Sequence, residues 1–198
     1  MKGKLLAIDN FDSFTFNLVQ MFRQFDLDIL VYRNNEINRA QLAQIAPDYL
    51  MISPGPKHPE YAGISMQAIS EFYKKIPILG VCLGMQCINE FFQGRTLRFH
   101  PPVHGKTSLI KHDQSGIFIR VTNPFRAARY HSLQVIPGSS STLTISAQSE
   151  DDVIMALSHP QLPIYGIQFH PESFLTEQGF TLIENFLKKG VNYGHCTT

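Results

Sequence analysis

The run Ile76-Pro-Ile-Leu-Gly-Val-Cys82-Leu-Gly-Met-Gln86-Cys-Ile-Asn-Glu-Phe-Phe92 decides the fold. Ile76 to Val81 is a short apolar stretch, of the kind a strand buried on both faces requires. Leu83 to Phe92 reads as a helix. The chain therefore turns from strand to helix within one residue, and that residue is a cysteine.

Working back toward the N-terminus, the same alternation repeats. Leu5 to Ile8 reads as a buried strand, with Asp12 or Ser13 as N-cap to a helix marked by Phe14, Leu18, Met21, Phe22 and Phe25. Ile29 to Tyr32 is a second strand. Ile37, Ala40, Leu42 and Ile45 mark a weaker helix that stops before Pro47. Tyr49 to Ile52 is a third strand, closed by Ser53-Pro54-Gly55-Pro56, and Ile64, Ala68, Phe72 and Tyr73 mark a further helix. Continuous apolar strands alternating with helices predict parallel strands covered on both sides. The fold class is α/β, an open doubly wound, mostly parallel sheet of flavodoxin-like type. In such sheets ligands bind beyond the carboxyl ends of the strands.

Forward of the cysteine the pattern changes. Ser108-Leu-Ile, Ile117-Phe-Ile-Arg-Val, Leu143-Thr-Ile-Ser and Val153-Ile-Met-Ala-Leu are short β runs, punctuated by Asp113-Gln-Ser-Gly116 and Pro137-Gly138. They predict added antiparallel strands in the second half, followed by a closing helix over roughly Glu177 to Lys188. No linker or repeat interrupts the chain, so a single domain over 1–190 with a tail over 191–198 is expected.

The 198 residues carry a net charge of +1, with 17% charged and 43% hydrophobic residues. That balance argues against disorder and gives no electrostatic footprint for nucleic acid or an anionic membrane surface. The low charge fits either a partner-covered surface or simply many uncharged polar positions. Cys82, Cys87 and Cys196 form no CxxC or Cys/His spacing, so neither a disulfide framework nor a zinc site is expected. The N-terminus lacks a signal-peptide apolar region, and no run approaches the ~20 residues that span a bilayer. A soluble cytoplasmic protein without metal ligands is the expectation.

Cys82 stands between glycines at −2 and +2 on the strand–helix turn, which matches the logic of a nucleophile elbow. A thiolate there gains from the helix dipole, and the Leu83 amide faces the same space, ready to donate to an oxyanion. A buried structural cysteine is the competing reading, and the turn alone does not separate the two. Tyr165-Gly-Ile-Gln-Phe-His170-Pro-Glu172 brings an apolar stretch to a histidine with a carboxylate two residues on. Residues i and i+2 of an extended segment project to one side, so Glu172 can hold one ring nitrogen while the other takes a proton. His170 lies far from Cys82 in sequence, so both strands must end at one sheet edge. Ser53-Pro-Gly-Pro56 follows the neighbouring strand, where a glycine lets backbone N–H groups approach a substrate oxygen; an ordinary Pro-Gly turn is the alternative.

Taken together, Ser53-Pro-Gly-Pro56, Gly80-Val-Cys-Leu-Gly-Met-Gln86 and Gly166-Ile-Gln-Phe-His-Pro-Glu172 resemble the class I (triad) glutamine amidotransferases. Asp9-Asn-Phe-Asp-Ser-Phe-Thr15, His104-Gly-Lys106 and Arg129-Tyr-His-Ser-Leu133 narrow the resemblance to the glutaminase subunits of anthranilate synthase and aminodeoxychorismate synthase. The resemblance implies that Cys82 is the nucleophile toward the glutamine carboxamide, His170 the base and acid, and Glu172 its orienter. It assigns the oxyanion hole to the amides of Gly55 and Leu83, within the loop Gly55-Pro56-Lys57. It assigns the amino-acid end of L-glutamine to Gln86, Ser132 and Leu133. It implies delivery of ammonia to a separate chorismate-binding synthase subunit that carries magnesium, leaving this chain without a cofactor.

Two positions depart from the family pattern. Lys57 stands where a glycine is usual and can supply the same N–H if its φ is negative or the strain is tolerated. Met85 stands where this subgroup commonly has His. His104, Lys106 and His131 are expected at a subunit interface or in loop packing. Competing readings are a glutaminase for another acceptor, as in guanylate synthesis, and a cysteine hydrolase of the same fold. A regulatory subunit without the triad is disfavoured because all three residues are present.

Overall fold

The computed structural model describes residues 2–193. Nine strands form one sheet in the order β2-β1-β3-β4-β9-β8-β7-β5-β6. β1 (Gly3–Asp9), β2 (Leu27–Arg33), β3 (Tyr49–Ile52), β4 (Ile78–Val81) and β9 (Ile164–Ile167) are parallel. β8 (Ile154–Ser158), β7 (Thr144–Ser149), β5 (Arg95–His112) and β6 (Phe125–Ile136) extend the sheet antiparallel from β9. The parallel half and its antiparallel extension are those expected.

Alternation within the strands explains the two-sided burial. Leu5 and Ala7 of β1, with Met51 of β3 and Val81 of β4, pack on one face against α1 (Thr15–Phe22) and α5 (Gly179–Tyr193). Leu6 and Ile8, with Leu50, Ile52 and Ile78, pack on the other against α2 (Arg39–Ile45), α3 (Ser65–Phe72) and α4 (Leu83–Phe91). Each such Leu, Ile, Val or Met side chain leaves water almost completely and contributes ~1.5–3 kcal/mol of burial. α2 begins at a capping box: the Gln41 N–H donates to Asn38 Oδ1 and the Asn38 N–H to Gln41 Oε1. It ends at Ala46, as Pro47 requires.

Several sequence expectations are corrected. α1 is not capped by the side chain of Asp12 or Ser13; Phe14 takes the N-cap position. The Asp12 carboxylate instead accepts from the Phe14 N–H, in a turn before the helix. Ile117 to Val121 is no strand: Gly116–Phe118 is a single 3-10 turn, and the carbonyls of Ile117 within it and Ile119 just after it accept from the Asn185 amide on α5. β6 has no continuous apolar run: its buried Phe125 and Val135 lie near its ends, with Ala127, Ala128, Arg129 and His131 buried between them. α5 runs to Tyr193, three residues into the expected tail. Cys196 and the rest of that tail lie outside the described residues. Among the described residues no helix is long and apolar enough to cross a membrane.

What positions the site is the shared direction of the parallel strands. β1, β3, β4 and β9 end at Asp9, Ile52, Val81 and Ile167. The segments that follow, 10–15, 53–57, Cys82 and 168–172, therefore emerge at one edge.

Candidate active site

Cys82 adopts φ +52° and ψ −103°, a conformation non-glycine residues avoid at a cost of ~1–3 kcal/mol. Its surroundings hold it there. Its N–H donates to the Ile167 carbonyl at 2.7 Å, and its own carbonyl accepts from the Gln86 N–H of α4 at 3.1 Å. A Cβ on Gly80 would lie 2.4 Å from the backbone of Gly84, and one on Gly84 would lie 2.3 Å from the Ile52 carbonyl oxygen. The two glycines are therefore needed for α4 to lie directly on β3 and β4. Cys87, one turn along α4, is fully buried, and burial with the nearby Glu90 charge pushes its thiol pKa far up. It is a structural cysteine, whereas Cys82 opens onto a cavity.

His170 leaves β9 on a single bridge to β6. Its N–H donates to the Ala128 carbonyl at 3.1 Å. The Thr176 hydroxyl locks the return, donating to the His170 carbonyl at 2.6 Å and accepting from the Ala128 N–H at 3.0 Å. His170 Nδ1 and Glu172 Oε1 are 2.6 Å apart, with both side chains essentially shielded from water. The carboxylate is the acceptor, which places a proton on Nδ1. Nε2 is buried and makes no hydrogen bond of good geometry. Phe14 and Tyr130 pack edge-on against the imidazole, with ring centroids at 5.8 and 5.1 Å. Burial opposes the imidazolium. The adjacent Cys82 and Glu172 outweigh it and push the His170 pKa up to about 10.

A chain of buried amides also reaches the thiol: Gln86 Nε2 donates to Gln168 Oε1 at 3.2 Å, and Gln168 Nε2 donates to Cys82 Sγ at 3.3 Å. Gln86 was expected from the family resemblance. Gln168 and Thr176 were not, although Gln168 lies inside the motif that delivers His170, two residues upstream on the same side of an extended chain.

The loop after β3 supplies the opposite wall. Asn10 ties it to three other segments: its N–H donates to Ser53 Oγ and its amide to the Ser53 carbonyl, while its Oδ1 accepts from Asn34 and Ser65. A Cβ on Gly55 would fall 2.5 Å from Asn10 Cβ, so that position admits only glycine without movement. Lys57 has φ +71°, so the strain that a lysine meets at this position is present and tolerated. Its ammonium lies over the Tyr61 ring.

The cavity between these walls has a volume of about 450 Å³ and is lined by Gly55, Pro56, Lys57, Cys82, Gln86, Ser132 and Leu133, with Phe11, Asp12, Ser13 and His104 on its rim. Leu83 is buried behind Gly55. The fold thus gathers the sequence-predicted site residues at one place, with His170 and Glu172 beneath the cavity wall. A larger cleft of about 730 Å³ adjoins it, sharing Lys57, Ser132 and Leu133, but contains neither Cys82 nor His170. His131 is buried in packing, whereas His104 and Lys106 are exposed. Met85 is wholly buried, beside Gly166. Among the described residues no group of three or more His, Cys, Asp or Glu is placed to hold a metal ion.

An elbow cysteine and a buried His–Glu pair stand together at the carboxyl edge of a doubly wound sheet. The chain belongs to the class-I glutamine amidotransferase family, whose model matches residues 6–189. It is 48% identical to the aminodeoxychorismate/anthranilate synthase component 2 of Bacillus subtilis, over 93% of this chain and 95% of that one. It is 45% identical to the aminodeoxychorismate synthase component 2 of Escherichia coli, covering 93% and 100% of the two chains. It is 44% identical to the anthranilate synthase component 2 of Pseudomonas aeruginosa, covering 93% and 95%. In fold it superimposes on the crystal structure of a glutamine amidotransferase from Thermotoga maritima, with a TM-score of 0.76 at 17% identity over 96% and 99% of the chains.

Proposed function

We propose that this chain is the glutaminase component of a two-part synthase, hydrolysing L-glutamine at Cys82 and passing ammonia to a chorismate-binding subunit. The observation that carries the reading is the buried His170–Glu172 pair beside a strained elbow cysteine that opens onto a cavity.

Cys82 gives its proton to Nε2 of His170, whose raised pKa favours the imidazolium, and Sγ then attacks the carboxamide carbon as the thiolate. Glu172 accepts from Nδ1–H and favours the imidazolium that forms. The amides of Gly55 and Leu83 receive the oxyanion. His170 then gives its proton to the departing nitrogen, releasing ammonia and leaving a γ-glutamyl thioester. Water activated by the same imidazole hydrolyses the thioester to glutamate and restores the thiol. Gln86, Ser132 and Leu133 hold the amino-acid end of the substrate. No step uses a metal or cofactor of this chain; the magnesium belongs to the synthase subunit.

The relatives are named for both anthranilate and aminodeoxychorismate synthases, and the acceptor chemistry resides in the partner's active site. The rim formed by Phe11, Asp12, Ser13 and His104 is the docking surface for that partner. The Lys57 loop, already at a costly φ, reorients its amides when the partner closes over it. Glutamate release by the lone chain, compared with the pair reconstituted with each type of synthase subunit, tests the reading. The expected result is slow hydrolysis alone and a rise in kcat, larger than any change in KM, once chorismate and the cognate partner are added. Full activity of the lone chain, unchanged by either type of partner, refutes the partner assignment.

A further inference from the structure

Beside the cavity the ladder between β5 and β6 is interrupted. Arg98 pairs with Leu133 and Val103 with His131, so residues 99–102 bulge out opposite Ser132 alone. A bulge leaves backbone groups without ladder partners and lets a strand bend. Here the Leu133 carbonyl, at the edge of the bulge, meets a side chain: His131 Nδ1 lies 2.9 Å from it.

The imidazole that makes this bond is itself held. Arg129 and His131 are two apart on β6 and project to one face. Arg129 Nε donates to His131 Nε2 at 3.0 Å. Arginine has no acceptor, so Nε2 must be unprotonated and the ring proton must sit on Nδ1, aimed at Leu133. The guanidinium is anchored in turn. Its Nη1 donates to Ser108 Oγ at 2.9 Å and to both oxygens of Asp151 at 2.8 and 3.1 Å. Asp151, in the turn between β7 and β8, also accepts from Ser149 Oγ. Phe99, on the bulge, stacks on His131 and lies under the guanidinium. Arg129 is buried to 2% exposure, and Asp151 is half-exposed.

We propose that Asp151, Arg129 and His131 form a positioning relay that fixes the Leu133 carbonyl, and with it the Ser132–Leu133 segment that holds the amino-acid end of the substrate. The relay sets substrate affinity and not the chemistry at Cys82; it rests on the reading that the cavity takes glutamine. His131 lines the cavity, whereas Arg129 and Asp151 do not. Their effect passes through the orientation and tautomer of His131, which the Arg129 N–H donor and the Leu133 carbonyl acceptor fix together.

Arg129→Lys keeps a positive charge facing Asp151 but removes the guanidinium Nε–H, freeing the His131 tautomer. In the reconstituted complex, KM for glutamine is expected to rise ~10-fold with kcat within about twofold of the parent. Alkylation of Cys82 by iodoacetamide keeps its rate, while inactivation by a glutamine-like diazoketone slows by the same ~10-fold, because only the second reagent uses the amino-acid subsite. Nitrogen-15 shifts of His131 move from one tautomer to a mixture. An unchanged KM, or a parallel fall in kcat and iodoacetamide rate, overturns the relay. Should Arg129→Lys fail to fold, Asp151→Asn at the exposed end is judged on the same split, with a smaller rise in KM expected and the same two results overturning it. If the diazoketone leaves Cys82 of the parent protein unmodified, the glutamine reading itself falls, and the relay with it.

Discussion

Replacing Glu172 by Gln separates the work of the carboxylate from that of the imidazole. The substitution keeps the shape, and an amide oxygen can still accept from His170 Nδ1–H where Glu172 Oε1 now lies at 2.6 Å. The acceptor loses only its charge. Hydrogen bonds to charged groups are worth ~1.5–3 kcal/mol against ~1 kcal/mol for neutral pairs. The developing imidazolium therefore loses ~0.5–2 kcal/mol, which corresponds to ~2–30-fold in kcat. Water cannot restore the difference, because the two side chains are 3% and 0% exposed. The second oxygen, Oε2, is buried without a partner. An amide –NH2 placed there adds a desolvation cost of ~1–3 kcal/mol, read in stability and not in rate. His170→Ala removes the base altogether, and general-base catalysis is worth ~10²–10⁴-fold. Steady-state glutamate release from the complex of each variant with its synthase partner measures the two losses. Equal losses would mean that the carboxylate is as indispensable to proton transfer as the imidazole. Parental kcat in Glu172→Gln would mean that it does not favour the imidazolium at all. Either result refutes the assigned division of roles.

Three further outcomes are expected. A glutamine-analogue electrophile labels Cys82 and spares Cys87, whose thiol pKa is pushed up by burial, and peptide mapping that finds comparable modification at Cys87 contradicts the assignment. Gly84→Ala puts a methyl 2.3 Å from a backbone oxygen that cannot swing aside, so overpacking of ~1–3 kcal/mol lowers Tm by ~3–10 °C; a parental Tm in a thermal melt refutes the close-packing argument. Burial, countered by the Leu133 carbonyl but reinforced by the Arg129 charge, lowers the His131 pKa to about 4, below the ~6.5 of the unfolded chain. The unfolded chain then takes the proton first, so stability is lost as pH falls from about 6.5 through about 4. Urea midpoints at pH 7 and pH 5 should show a smaller loss in His131→Gln than in the parent, and equal losses argue against a neutral buried His131.

The elements, and the chemistry carried on their ends, are legible in the order of residues alone. Apolar runs such as Leu5 to Ile8 can be satisfied only by strands covered on both faces, so they imply parallel order and a ligand edge before any contact is known. Gly80 and Gly84 around Cys82 announce the elbow because only a missing Cβ allows helix to meet strand so closely. His170 and Glu172 are legible as a pair because spacing i, i+2 on an extended chain is local geometry. What lay beyond the sequence is everything that depends on long-range pairing. β6 carries a weak apolar signature because small and polar residues are buried between Phe125 and Val135, and Arg129 reads as a surface residue until Asp151 and Ser108 are brought to it. Thr176 is an ordinary threonine until β9 and β6 meet at His170 and Ala128. Periodicity records which face of an element is buried; it does not record which polar groups from distant strands will be desolvated together. Which buried donors find acceptors, and so which side chains hold the site in shape, follows from the packing of distant strands.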